Sequence, residues 1–236
     1  MPNKTEALDL YAKIEGMLEN EEAIGTLYGT YLKALDGISF DSLLDVGCGS
    51  GGFLELIGRL FAPAQLKGID LSPLMVARTV ARGIEAEAID LCQLEGQYDV
   101  ITAVFDMVNY LDGKGLTRFM QCIHERLTDG GYFICDINSL YGFAEVASGS
   151  FTAEDGEKFL VIDSEYEEGV YRSCFTLFEK RGECYHRSDE EITQYHHTPE
   201  AVALAGDLHL LSDTSITLYA QESDKHFLLY QKRRPK

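Results

Sequence analysis

Residues 42–52, SLLDVGCGSGG, decide the fold, because an apolar strand runs directly into four glycines and then into a helix. Glycines at such a junction let the backbone turn sharply and approach a ligand closely. The N-terminus of the following helix offers unpaired N–H groups to a carboxylate or a phosphate. The stretch therefore predicts the ligand-binding junction of an α/β sheet.

The glycines alone leave the class of ligand open. Gly47, Gly49 and Gly52 satisfy the spacing G-x-G-x-x-G, which is typical of sites for nicotinamide or flavin dinucleotides. Asp45 argues against that interpretation, since a carboxylate at the end of the strand would repel a pyrophosphate and attract an ammonium group. No Lys followed by Ser or Thr comes after the glycines, which excludes a P-loop.

Composition limits the class of protein. A chain of 236 residues is long enough for one domain with an elaboration. Its 39 acidic and 20 basic residues give a net charge of -19, which opposes binding to nucleic acid or to anionic lipid. We expect the one basic cluster, residues 232–236, to be a solvated tail. Without an apolar run of membrane-spanning length or a signal peptide, the expected location is cytoplasmic.

The six cysteines show no C-x-x-C pairing, and several of them fall inside apolar segments. In a cytoplasmic chain they are predicted to be reduced packing residues. Cys48 differs from the others because it lies inside the glycine loop, where it could touch a ligand.

Predicted strands and helices alternate five times between residues 42 and 137, which is typical of a doubly wound parallel sheet. Strand-like alternation at 158–163, 170–178 and 190–195 indicates an antiparallel insertion, and strands at 209–219 and 226–232 would complete the main sheet. We expect a single domain over residues 1–236. Its parts are predicted to be N-terminal helices (1–37), a cofactor-binding core (38–140), the insertion (141–200) and C-terminal strands (201–236).

Acids stand at the carboxyl ends of successive predicted strands, namely Asp45, Asp70, Asp90 and Asp106. In an open parallel sheet those ends line one crevice. Asp70 has the position expected for a carboxylate that binds ribose hydroxyls, and Asp90 with Leu91 is placed to hold a base. The acids together favour a ligand that carries an ammonium, a sulfonium and a ribose but no phosphate.

Three segments, LDVGCGSG (44–51), GIDLSP (68–73) and FDMVNYL (105–111), together with residues 90–91, resemble the successive motifs of class I S-adenosylmethionine-dependent methyltransferases. Residues 105–111 are similar to the D-S-L-N-Y-L segment of a bacterial subgroup of uncharacterised small methyltransferases. The resemblance implies a doubly wound, seven-stranded Rossmann-like methyltransferase sheet of α/β class. It also implies an antiparallel β insertion after strand five that caps the acceptor site, and S-adenosyl-L-methionine as the cofactor.

The same resemblance implies roles for single residues. Asp45 would bind the amino group of the cofactor, the glycine loop would approach its methionine part, and Phe105 would contact the methionine through its backbone. Asp70 would bind the ribose, and Asp90 with Leu91 would bind the adenine. The predicted cofactor-binding set is Asp45, Gly47, Cys48, Gly49, Asp70, Leu71, Asp90, Leu91 and Phe105.

Methyl transfer from a sulfonium is an in-line displacement, so an enzyme mainly aligns a nucleophile and excludes water. Asp106, Asn109 and Tyr110 follow strand four at the mouth of the crevice and are the candidate catalytic residues. Asp106 could accept a proton if the nucleophile needs to lose one. Asn109 and Tyr110 could equally pack and cap the next loop.

Three histidines in the predicted insertion, His186, His196 and His197, are expected to be exposed strand residues more readily than general bases. Neighbouring histidines on a strand point to opposite faces, so we expect no metal site there.

Three functions remain open at this point. The first is a methyltransferase acting on a small-molecule acceptor, without nucleic-acid or membrane partners and with a homodimer left open. The second is an NAD(P)-dependent oxidoreductase, which Asp45 and Asp90 disfavour. The third is a non-catalytic protein that binds S-adenosylmethionine or S-adenosylhomocysteine and associates through its insertion.

Overall fold

The computed structural model describes residues 5–18 and 21–234, which form one seven-stranded sheet with helices and a second, four-stranded sheet. In chain order the elements are α1 (Thr5–Leu18), α2 (Glu21–Asp36), β1 (Ser42–Val46), α3 (Gly52–Leu60), β2 (Gln65–Asp70), α4 (Pro73–Ala81), β3 (Glu85–Ala88), β4 (Tyr98–Ala103), α5 (Gly113–Arg126), β5 (Leu127–Asn138), β6 (Gly149–Glu154), β7 (Lys158–Glu167), β8 (Val170–Arg181), β9 (Cys184–Tyr195), α6 (Pro199–Gly206), β10 (His209–Ile216) and β11 (Lys225–Gln231).

The main sheet has the strand order β3-β2-β1-β4-β5-β11-β10. Strands β1 to β5 are parallel, β11 runs antiparallel to β5, and β10 runs antiparallel to β11. This topology confirms the predicted doubly wound sheet and the antiparallel insertion after strand five. It also brings the carboxyl ends of β2, β1 and β4 side by side at one edge.

Alternating residues of each strand face two different apolar layers. Leu44 and Ile101 pack with Met120 and Ile123 of α5 on one face of the sheet. The neighbouring residue Leu43 packs on the other face with helices α2 and α3. Full burial of each such side chain contributes about 1.5–3 kcal/mol, so both layers hold the sheet rigid beneath the site.

The second sheet is an antiparallel meander of β6, β7, β8 and β9. Its buried face packs against Leu10 and Ile14 of α1. Helix α1 also contacts the core, because Ser72 donates to Asp9 at 2.6 Å and Ser50 donates to Glu15 at 3.2 Å. Helix α1 therefore lies between the insertion and the loops that follow β1 and β2.

The start of β5 and the number of strands in the insertion are two features that the sequence pattern does not indicate. The glycine pair at 130–131 lies inside β5, since α5 ends at Arg126 and β5 already begins at Leu127. The register explains this, since Leu127 pairs with Tyr98 while Tyr132 pairs with Val100, so the residues between them bulge. Strand β6 was missed because GSFTAE carries little apolar alternation.

The cysteines correct another expectation. Cys92 and Cys122 form a disulfide that joins the segment after β3 to α5, so these two are not reduced packing residues. The fold places their Cα atoms 5.2 Å apart across a sequence separation of 30 residues. No sequence pattern indicated this pairing. Cys48 and Cys135 are buried thiols, as expected, whereas Cys174 and Cys184 are exposed thiols.

The basic C-terminal cluster is not wholly a solvated tail. Lys232 is 9% exposed and its Nζ donates to the Leu127 carbonyl at 2.9 Å. Arg233 and Arg234 are exposed, as expected, and residues 235 and 236 lie outside the described residues. Across the described part of the chain, no helix combines the length and the apolar character that a membrane crossing requires.

Candidate active site

The glycine loop after β1 adopts backbone conformations that suit glycine. Gly47, Gly49 and Gly51 have φ angles of 73°, 53° and 82°. A Cβ on Gly51 would lie 2.8 Å from Thr79 Oγ1, and a Cβ on Gly47 would lie 2.7 Å from Met107 Cγ. The loop therefore needs glycine both for its left-handed backbone and for its close approach to α4 and to the turn after β4.

Neighbouring strands and helices hold this loop in place. The N–H groups of Gly47 and Cys48 donate to the Ile69 carbonyl at 2.8 and 3.0 Å. Thr79 Oγ1 donates to the Gly49 carbonyl at 2.8 Å. The loop thus enters α3 from a fixed position beside the end of β2.

Asp70, at the end of β2, is also fixed by backbone donors. Its carboxylate accepts from Gly49 N at 3.0 Å and from Ser72 N at 2.8 Å. Burial raises the pKa of Asp70, although the N–H donors lower it in part. The next residue, Leu71, is 54% exposed. Asp70 is only partly buried, and its contact with a ribose stays a prediction.

Asp45 lies deeper, with 2% of its surface exposed. Thr102 Oγ1 donates to Asp45 Oδ1 at 2.6 Å. Burial, with a smaller effect of the nearby Asp70 charge, raises the pKa of Asp45 to about 7, although the hydrogen bond from Thr102 lowers it in part. A cation placed beside this carboxylate would stabilise its charged form.

Asp90 follows β3 and is engaged by protein donors. It accepts from Cys92 N at 2.8 Å and forms an ion pair with both terminal nitrogens of Arg118. Leu91, in the same turn, is buried. The predicted adenine side of the site is therefore a short capped turn that Arg118 and the Cys92–Cys122 disulfide tie to α5.

The turn after β4 contains two successive residues in the left-handed region. Phe105 has φ 57° and Asp106 has φ 49°, conformations that non-glycine residues rarely adopt. Asp136 of β5 holds both, since its carboxylate accepts from Phe105 N at 2.8 Å and from Asp106 N at 2.9 Å. The sequence analysis missed Asp136, whose one signal is an acid inside the apolar strand segment 132–137.

Three more residues from distant elements complete this cluster. Lys225 Nζ of β11 lies 2.5 Å from Asp106 Oδ1 and 3.0 Å from Asp136 Oδ2. Gln194 of the insertion donates to Asp106 Oδ2 at 2.5 Å, and the hydroxyl of Tyr31 donates to Asp136 at 2.8 Å. Burial lowers the pKa of Lys225, but the two carboxylates outweigh it and raise that pKa overall. Sequence reasoning missed all three residues.

Asn109, a candidate catalytic residue, is fully buried. Its side-chain nitrogen donates to the Tyr195 carbonyl at 2.7 Å, and its oxygen accepts from Asn138 N at 2.9 Å. Tyr110 packs, partly buried, beside the apolar layer between α1 and the insertion. These contacts are those of a packing and capping residue, and a catalytic role for Asn109 stays a prediction.

The comparisons with known proteins agree with this geometry. Residues 43–131, which include the glycine loop and the turn after β4, match the model of a family described as a methyltransferase domain. Over residues 43–131 the chain is thus similar to a methyltransferase domain. The match covers β1 to the start of β5, the part of the chain in which the acids follow successive strands.

Similar proteins extend the likeness beyond these residues, to nearly the whole chain in the fold. A malonyl-[acyl-carrier protein] O-methyltransferase of Acetivibrio thermocellus is 27% identical over 187 residues, 72% of this chain but 61% of that protein. An S-adenosylmethionine-dependent methyltransferase of Clostridium acetobutylicum shares the fold with a TM-score of 0.74 and 21% identity, covering 97% of this chain and 98% of that one. An amino pentose methyltransferase of Micromonospora echinaspora, solved with S-adenosylmethionine bound, has a TM-score of 0.69 and 17% identity over 95% and 96% of the two chains.

The three histidines predicted to be exposed strand residues differ in their placement. His186 is exposed, but His196 and His197 fall in the loop after β9, and His197 is buried with Nε2 2.8 Å from the Leu111 carbonyl. Burial lowers the pKa of both His196 and His197. Among the side chains that the structure describes, no group of three or more His, Cys, Asp or Glu could hold a metal ion.

Proposed function

We propose that this protein is a methyltransferase that moves a methyl group from S-adenosyl-L-methionine to a small-molecule acceptor by in-line displacement. Asp45 carries the proposal, because it is a buried acid with a pKa of about 7 beside a glycine loop, next to a second acid on β2. A dinucleotide would bring a pyrophosphate to these two carboxylates and meet repulsion. An ammonium group would instead stabilise the Asp45 carboxylate.

The residues present fit the cofactor at each of its parts. Asp45 provides charge for the ammonium, Asp70 provides carboxylate oxygens for the ribose hydroxyls, and the turn at Leu91 provides an apolar surface for the adenine. Cys48 and Gly49 leave the loop compact enough for the methionine part. When bound, the sulfonium supplies an activated methyl group.

The chain's own contribution is alignment and exclusion of water. Asp106 faces both the core and the insertion, since it contacts Lys225 and Gln194. Both of its carboxylate oxygens already accept hydrogen bonds from protein donors, so we assign Asp106 the role of orienting the acceptor rather than that of accepting a proton. The insertion, residues 141–200, would then cap the acceptor.

The acceptor class that we favour is a small neutral or cationic molecule with an amino group. An amino pentose methyltransferase matches nearly the whole chain, insertion included, whereas the O-methyltransferase relative is matched over 61% of its length. The Asp106 carboxylate also disfavours a malonyl acceptor, whose own carboxylate would be repelled.

Isothermal titration calorimetry tests the cofactor directly. We expect S-adenosylmethionine and S-adenosylhomocysteine to bind with micromolar Kd, Asp70→Ala to lose this binding, and NADH not to bind. Asp129→Ala is the matched control, because Asp129 is an exposed acid near the opposite end of β5. Binding of NADH alone would overturn the proposal in favour of an oxidoreductase.

A second measurement separates an enzyme from a non-catalytic binding protein. Amino sugars and simple amines would be incubated with S-adenosylmethionine, and formation of S-adenosylhomocysteine would be followed by mass spectrometry. Acceptor-dependent turnover supports the proposed reaction. Tight binding without turnover on amines or hydroxyl compounds would favour the binding protein.

A further inference from the structure

Lys225 is a fully enclosed cation at the centre of the site, with 2% of its surface exposed. Its Nζ donates to Asp106 at 2.5 Å and to Asp136 at 3.0 Å. Asp106 lies in the turn after β4, and Asp136 lies within β5. Asp136 in turn accepts the N–H groups of Phe105 and Asp106. One ammonium group thus connects β11, β5 and the strained turn after β4.

That turn lies against the glycine loop. A Cβ on Gly47 would come 2.7 Å from Cγ of Met107, the residue after Asp106. Any displacement of Phe105 and Asp106 therefore changes the wall of the crevice that the methionine part of the cofactor would occupy.

The two carboxylates repel each other without the lysine. Because both bond the same nitrogen, their nearest oxygens are no more than about 5.5 Å apart. Two carboxylates that share a site cannot both stay ionised easily, and one takes up a proton at higher pH. The ammonium group reduces the charge of the cluster from two negative charges to one.

We propose that Lys225 is a positioning residue for methyl transfer, which bridges Asp106 and Asp136, offsets the repulsion between them and thereby holds the Phe105–Asp106 turn against the glycine loop. This inference rests on the proposed function, because the turn is placed as the wall of the cofactor site. Lys225 acts through the two acids and does not itself touch the reacting atoms.

Other titratable groups around the cluster are accounted for. Burial raises the pKa of Tyr31 on α2, of Cys135 on β5 and of Tyr219 before β11, so these three stay neutral through neutral pH. The Asp224 carboxylate is capped by the N–H groups of residues 218 and 219. Asp45 has a pKa of about 7, but it is present in the wild type and in each variant of the experiment below, so its titration cancels when variant and wild type are compared.

Lys225→Met keeps the length of the side chain and removes its charge. Asp136 still accepts two backbone N–H groups and the Tyr31 hydroxyl, whereas Asp106 loses its bond to Lys225. Two carboxylates without a bridging cation repel each other most strongly at high pH, so we expect the turn to be displaced more as the pH rises.

The experiment compares the wild type with Lys225→Met, with the double variant Lys225→Met/Asp106→Asn, and with Lys232→Met. Lys232 is the matched control, because it is also a buried lysine but bonds the Leu127 carbonyl at the other end of β11. Calorimetry would give the Kd of S-adenosylhomocysteine from pH 5.5 to 9. Hydrogen exchange of the free proteins would follow the amides of residues 104–107.

The ratio of the variant Kd to the wild-type Kd is the deciding quantity. For Lys225→Met we expect it to rise by about tenfold or more between low and high pH, which corresponds to one lost charge interaction. The double variant and Lys232→Met should give a ratio that does not depend on pH. Exchange at residues 105 and 106 should be faster in Lys225→Met alone.

A ratio near one at every pH, with only a lower Tm, would show that Lys225 merely stabilises the fold and would overturn the inference. The hydrogen-exchange measurement needs no ligand. If the wild type does not bind S-adenosylhomocysteine, the proposed function fails, while unchanged exchange at residues 105 and 106 would separately refute the positioning role.

Discussion

Arg118 contacts both carboxylate oxygens of Asp90, with nitrogen–oxygen distances of 3.1 and 3.2 Å. The pair lies at the surface, since the Arg118 side chain is 63% exposed and that of Asp90 is 34% exposed. The same carboxylate caps the short turn by accepting from Cys92 N. Asp90 thus has two separable structural roles: it forms a surface ion pair with Arg118, and it caps the backbone of the turn.

Removal of the ion pair should cost little stability. For Arg118→Met we expect the free energy of unfolding in urea to fall by less than about 1 kcal/mol, because exposed ion pairs are screened by water. Asp90→Ala should lose a further ~1 kcal/mol, since the cap is lost as well. A larger loss for Arg118→Met than for Asp90→Ala would contradict this division.

The glycine at position 51 is required for space as well as for backbone conformation. Gly83 is the matched control, because its φ of 81° is close to the 82° of Gly51 but a Cβ there would meet no atom within 4 Å. We expect Gly83→Ala to cost about 1–2 kcal/mol for the left-handed backbone alone. Gly51→Ala should cost more and should weaken cofactor binding, which thermal unfolding and calorimetry would measure.

Equal losses of stability in the two variants would show that Thr79 moves aside freely. The steric argument at Gly51 would then fail.

Asp45 should make stability depend on pH. Its pKa is raised from 3.8 to about 7, so the folded protein holds a proton that the unfolded chain has released. The stabilising effect is full below about pH 4 and is lost as the pH rises to 7, by an amount on the order of a few kcal/mol. Urea unfolding of the wild type and of Asp45→Asn, compared from pH 4 to pH 8, would measure it.

The same titration should appear in cofactor binding. We expect the affinity for S-adenosylmethionine to rise from pH 6 to pH 8, because the ammonium group binds the ionised form of Asp45. For 5′-methylthioadenosine, which lacks the amino-acid part, the affinity should hardly change. Equal pH dependence for the two ligands would remove Asp45 from the ammonium site.

The disulfide predicts a pattern of thiol reactivity. In the native protein without reductant, iodoacetamide should label the exposed Cys174 and Cys184, and Cys92 with Cys122 should react only after reduction and unfolding. Closing a loop with a sequence separation of 30 contributes up to about 3–4 kcal/mol, so dithiothreitol should lower the Tm. Cys92→Ser should have this lower Tm even without dithiothreitol. If dithiothreitol leaves the Tm of the wild type unchanged, the disulfide is refuted.

The sheet could be predicted from the sequence because its signals are local. Ser72 followed by Pro73 is a local signal for the start of a helix, and the structure has α4 beginning there, directly after β2. Acids that follow successive parallel strands converge by topology alone, so the placement of Asp45, Asp70 and Asp106 at one edge was also accessible.

The partners of these acids could not be predicted, because each comes from a distant part of the chain. Lys225 lies 119 residues from Asp106, and Gln194 lies 88 residues from it. A single lysine or glutamine forms no sequence pattern from which its hydrogen-bond partner could be predicted. Burial of the ion cluster becomes visible only when the strand order is known.

The cluster around Asp136 also limits what the matched region can do alone. Tyr31 and the acid itself, together with Gln194 and Lys225, all lie outside residues 43–131, although they fix the turn within that region. A fragment cut at the borders of the family match would keep every recognisable motif and lose the groups that shape them. During synthesis on the ribosome, the crevice accordingly stays incomplete until β11 has emerged and paired with β5.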